Sequence, residues 1–175
     1  MLNEVLKRNI KVNFHTPNAL NARFITKESA KLMVRAGFKT FYLGFESKSS
    51  TWQRKTGSKV TSDQLARAIG HLLGAGANPN DITAYQILGH PQMETQRLED
   101  SMEFVCGLDI RGMLADFSPI PGTLDGDYSG KYVDMTEPLM HNKSAFGAIA
   151  FGFKEINRLK NLQRKLNRNI PQKPA

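Results

Sequence analysis

The residues best suited to chemistry stand where apolar runs stop. Phe41-Tyr42-Leu43-Gly44-Phe45 is followed by a carboxylate and a hydroxyl, Glu46 and Ser47. A continuous apolar run between helical patterns reads as a buried strand of a parallel sheet. In such folds ligands lie beyond the C-terminal strand ends. Glu46 and Ser47 would then face a ligand, unless they only open a loop and solvate it. Other runs stop the same way, at His15-Thr16-Pro17-Asn18, at Gly89-His90-Pro91 and at Ser118-Pro119. His90 has the side chain for metal ligation or proton transfer. No second ligand stands at helical or strand spacing from it, so no metal site is assigned.

The single cysteine, Cys106, excludes an intrachain disulfide and any all-cysteine metal or cluster site built by this chain alone. It falls on the inner face of a helical pattern, as a buried core thiol does. The formal charge of +8 is uneven. Seven Lys or Arg (154, 158, 160, 164, 165, 168, 173) follow residue 153, against the one acid Glu155. Such a tail can attract nucleic acid. A solvated helix face is the simpler reading, and nucleic acid is not expected as a partner.

The 175 residues suffice for one domain with a core, and an apolar content of 40% is that of a globular protein. No run approaches the length of a membrane span, and no apolar signal region follows Met1, so a cytoplasmic protein is expected.

These residues need elements to hold them. Leu2, Val5 and Leu6 share a face of a short helix, and residues 10–14 alternate as a short strand does. Thr26 is a candidate N-cap of a helix ending at Gly37, which leads into the strand over 40–45. Thr61 and Gln64 have capping-box spacing ahead of Leu65, Ile69, Leu72 and Leu73. A strand over 82–88, a helix capped by Thr95 and a strand over 110–117 follow. A basic helix over about 144–168 carries a stripe of Ile149, Phe153, Ile156, Leu159, Leu162 and Leu166. The order is βαβαβαβ plus a terminal helix, which implies an α/β fold with about four parallel strands and right-handed crossovers. Four polar strand ends on one rim follow the logic of a β/α barrel, with too few strands to close one.

At these residues the chain resembles the radical S-adenosylmethionine (radical SAM) superfamily, most of all the members that carry an N-terminal cobalamin-binding domain. The matching stretches are residues 14–23, Leu43-Gly44-Phe45-Glu46-Ser47, Ile87-Leu88-Gly89-His90-Pro91, residues 118–123, and Glu137-Pro138-Leu139 with His141-Asn142. The resemblance covers nearly the whole chain, roughly residues 1–170. The resemblance implies a single domain, a partial TIM barrel, corresponding to the C-terminal part of the catalytic domain. The family's CxxxCxxC loop, which holds a 4Fe-4S cluster, has no counterpart here.

What the resemblance implies for the site is specific. Glu46 and Ser47 would accept hydrogen bonds from the ammonium or ribose of S-adenosylmethionine. Lys59 would meet its carboxylate, with Arg54 and Lys55 as competitors. Gly89 would let the backbone approach adenine, Pro119 would support that contact, and Asn18 would reach ribose or substrate. The parent enzyme would cleave S-adenosylmethionine reductively, or use cobalamin for methyl transfer. This chain, with one thiol, is expected to be inactive alone. The alternative is a non-catalytic binding module whose basic tail holds an acidic partner or nucleic acid. Expected partners are the missing N-terminal half of the barrel or a second copy covering the open sheet face in a homodimer.

Overall fold

A computed structural model describes residues 1–48, 53 and 60–170. Its centre is a three-stranded, wholly parallel sheet in the order β1 (Phe41–Glu46), β2 (Ile82–Leu88), β3 (Arg111–Asp116). Helices α1 (Leu2–Lys7) and α2 (Lys27–Ala36) precede β1. Helix α3 (Ser62–Gly74) joins β1 to β2, α4 (Thr95–Cys106) joins β2 to β3, and α5 (Leu124–Ser129), α6 (Phe146–Phe151) and α7 (Phe153–Arg168) follow.

Local chemistry starts and stops these helices. Thr26 and Ser29 cap each other reciprocally at α2, as do Thr61 and Gln64 at α3. Gly37 ends α2 at φ 101°, and a Cβ there would come within 2.4 Å of the Val12 carbonyl oxygen. Thr95 does not cap α4: it is the first helical residue, behind Glu94.

The alternating burial of β1 puts Phe41, Leu43 and Phe45 under the helices. They meet Leu65, Ala68, Ile69 and Leu72 of α3, with Ile82 and Ala84 of β2, in the main core. A second cluster joins Leu88, Leu98 and Met102 to Ile156 and Leu159, docking α7 on α4. Tyr42 and Tyr85 stack with ring centres 5.3 Å apart.

Two further expectations need correction. Residues 10–14 do not form a strand, so the described sheet has three strands and not four. Phe14 makes a single bridge to Phe38, and Leu20 another to Leu43. Between them Pro17 has no N–H to give. The Thr16 hydroxyl acts as a substitute, donating to the Thr40 carbonyl at 3.1 Å and accepting from the Tyr42 N–H at 3.0 Å. Ile10 and Val12 stay 46% and 40% exposed, with no layer to bury them. The terminal helix is also two helices: Gly152, at φ 83° and ψ 138°, cannot continue the α-helix and separates α6 from α7.

The far edge, β3, is finished by a side chain too. The Asn167 amide accepts from the Gly112 N–H and donates to the Gly112 carbonyl, both at 2.9 Å. Gln163 donates to the same Asn167 oxygen at 3.2 Å. A Cβ on Gly112 would lie 2.5 Å from the Gln163 amide nitrogen, so glycine makes room for this arrangement.

Candidate functional site

The C-terminal end of β1 is irregular. Gly44 pairs with Tyr85, the next pair is Glu46 with Gln86, and Phe45 is the extra residue of a bulge. Glu46 then adopts φ 64°, the left-handed region that a side chain with a Cβ rarely enters. The result re-aims the carboxylate. It lines a small cavity of about 40 Å³ shared with Ser47, Ile87, His90, Met93 and Arg97. It also lines a hollow of about 210 Å³ with Ala19, Leu20, Asn21, Gly44 and Val60. Among the described residues, Glu46 is the one common to both.

The turn after β2 forms the opposite wall. Gly89 is buried at φ 84°, and a Cβ there would stand 3.3 Å from the Gly147 Cα. Its N–H donates to the Met93 thioether at 3.2 Å. The Met93 N–H donates to the His90 carbonyl at 2.7 Å, and the Gln92 N–H donates to His90 Nδ1 at 3.1 Å. Nδ1 is thereby an acceptor, which leaves the ring proton on Nε2. Nε2 lies 3.2 Å from Asp125 Oδ1 of α5. Burial holds the His90 pKa below its ordinary value, although Asp125 and Glu46 pull the other way. The neutral imidazole is a tether between the turn and α5, reinforced by Phe117 at 4.8 Å and by the Tyr132 hydroxyl, which donates to the Pro91 carbonyl at 3.2 Å.

Of the sequence-predicted site residues, the cavity brings together Glu46 and Ser47, with Gly89 in the turn that carries His90 and Met93. Pro119 is buried just beyond β3, where Ser118 donates to the His141 carbonyl. Asn18 is exposed on the segment that runs beside β1 and does not line the cavity. Lys59, Arg54 and Lys55 lie outside the described residues. Cys106 sits in the helical layer with its thiol 3.6 Å from the Leu166 carbonyl oxygen. It lines neither the cavity nor the hollow, so the one thiol does not fit a cluster at the strand ends. Among the described residues no three His, Cys, Asp or Glu gather as a metal site, and no helix is long and apolar enough to cross a membrane.

Sequence reasoning missed Met93, Asp125 and the tethering role of His90, which depend on contacts between distant segments. Glu94 and Arg97 also line the cavity, joined at 2.7 Å. A larger cavity of about 490 Å³ includes Thr40, Asn80, Asp81 and Arg111, which lie at the N-terminal strand ends, away from the predicted residues.

No family model and no curated protein matches the sequence. Among solved structures, the chain is similar to coproporphyrinogen III oxidase (HemN) from Escherichia coli, a radical SAM enzyme, at 15% identity and a TM-score of 0.55. The likeness covers 88% of this chain and 36% of that one, so the chain spans little more than a third of that enzyme's length. At this identity the likeness is one of fold: parallel strands alternating with helices, as in part of the radical SAM enzyme's structure.

Proposed function

We propose that the chain is the C-terminal part of the S-adenosylmethionine-binding barrel of a radical SAM enzyme. The observation that carries this reading is Glu46: a carboxylate on left-handed backbone, at a parallel strand end, between two hollows and across from a glycine turn. Strained backbone of this kind is retained where a side chain must be aimed. The fold likeness to a radical SAM enzyme supports the same reading.

The residues present suit S-adenosylmethionine in part. Glu46 would accept from its ammonium or ribose hydroxyls, Ser47 would add a hydroxyl, and the Gly89 turn would admit the flat adenine. Lys59 would hold the carboxylate, Pro119 would brace the adenine wall, and Asn18 would approach from the β1 side. When bound together with a 4Fe-4S cluster, S-adenosylmethionine supplies a carbon-centred radical. This chain's residues do not hold the cluster, so its ligands belong to another part of the parent protein, and the chain alone is inactive. The cobalamin-dependent subtype rests on the sequence stretches only. A cytoplasmic location belongs with the same reading.

Titration calorimetry with S-adenosylmethionine tests it. Glu46→Gln should weaken binding about tenfold or more, the worth of one charge-assisted hydrogen bond. Glu4→Ala removes a carboxylate from α1 and should leave binding unchanged. Equal effects from the two variants would remove Glu46 from the site.

A further inference from the structure

Three bonds close the turn that walls the cavity on itself, and they are unequal. Nitrogen and oxygen acceptors take the Gln92 and Met93 N–H groups, whereas the Gly89 N–H goes to a sulfur, the Met93 Sδ at 3.2 Å. A thioether is a weak acceptor on a side chain with three rotatable bonds. Gly89 is buried, so its N–H cannot turn to bulk water instead. Met93 is half-buried and lines the cavity, whose volume of about 40 Å³ has room for little more than water.

We propose that Met93 is the specificity-determining residue of this cleft: its thioether stands where a bound ligand's acceptor atom must go, and binding requires Met93 to leave. This rests on the reading of the cleft as a nucleoside site and adds the condition for entry. A ring nitrogen or carbonyl oxygen makes a stronger bond to the Gly89 N–H than sulfur does, so a flat heterocycle with such an atom displaces Met93. An apolar ring of the same size leaves the N–H unsatisfied and is rejected. Withdrawal of the side chain also enlarges the cavity towards Leu98, one of the residues that line it. Met93 therefore selects for an acceptor at one position and excludes ligands that lack it.

The test uses the whole chain, with adenosine and S-adenosylmethionine as probes. The Gly89 amide is followed by nuclear magnetic resonance and affinity by calorimetry. Adenosine should shift the wild-type Gly89 amide downfield. Met93→Ala should bind adenosine between about twofold and tenfold more tightly than wild type, the range set by one net hydrogen bond. Met93→Leu keeps the volume and removes the acceptor. Without ligand it should already shift the Gly89 amide and speed its exchange, so a poorly folded alanine variant does not decide the matter. Adenosine or S-adenosylmethionine binding with the Gly89 amide unmoved, or with equal affinity in all three proteins, overturns the role of Met93 while leaving the S-adenosylmethionine reading standing. Adenosine binding tightened by the Met93 variants, with no binding of S-adenosylmethionine, has the opposite effect. Binding of neither probe by any of the three proteins refutes both.

Discussion

Replacing Glu46 by glycine should leave a more stable fold than replacing it by alanine, and both variants should weaken ligand binding. At φ 64° any residue with a Cβ is strained, by about 1–2 kcal/mol. Glycine relieves that strain but gives the unfolded chain extra freedom, which offsets about 0.4–1 kcal/mol. Comparison with Glu46→Ala isolates the backbone contribution, because both variants lose the carboxylate and everything it touches. The glycine variant should then exceed the alanine variant by about 0.5–1 kcal/mol, the difference between those two effects. For a chain of this length that is about 1–4 °C in Tm. Urea and thermal unfolding followed by circular dichroism give both numbers. At an ordinary strand position the order is reversed, with alanine ahead of glycine. That order here would refute the claim that the bulge stores strain at Glu46, and with it the argument that the strain is retained to aim a carboxylate.

Other outcomes follow from single features. Gln86 is wholly buried, and among the described residues neither its amide oxygen nor its nitrogen has a hydrogen-bond partner. Gln86→Met should therefore raise stability by about 1–3 kcal/mol, and a loss in urea titration would show that the amide is satisfied in solution. His90 has a folded pKa below its ordinary value, so the unfolded chain binds the proton first. Stability should be complete above pH about 6.5 and fall as pH drops from there to the folded pKa, by at most about 1.4 kcal/mol per pH unit. His90→Gln should flatten that stretch of the profile. Gly112→Ala should expel the Gln163 amide and cost about 1–3 kcal/mol, measured as a lower denaturation midpoint. We also propose a homodimer that covers the Tyr42 and Tyr85 face, unless the N-terminal half of the barrel takes that place. Light scattering at tens of micromolar should give twice the chain mass, and a monomer would count against it.

Elements set by local chemistry were legible in the sequence. The boxes at Thr26 and Thr61 and the glycine stop at Gly37 need only neighbours within a turn, and the three strands are long enough to announce themselves, although in the edge strand β3 only Gly112 is buried. Residues 10–14 alternate like a strand, but alternation does not supply a partner, and the proline three residues on turns backbone pairing into a side-chain bond. The break at Gly152 was readable, since a glycine stands within the apolar stripe; the periodicity around it hid the change of direction. At the site, Glu46 and Ser47 were found because strand ends in parallel sheets carry ligands. The bulge that re-aims Glu46, the Met93 sulfur on Gly89 and the Asp125 partner of His90 arise from packing between segments far apart in sequence.

Thr16 and Asn167 stand at opposite borders of the sheet, and each does with a side chain what another strand would do with its backbone. The width of the sheet is thus set by two residues. Gain or loss of a strand is usually pictured as the insertion or deletion of a whole element. Here a substitution at either border uncovers a peptide group ready to pair, and the number of strands becomes a property that point mutation can change.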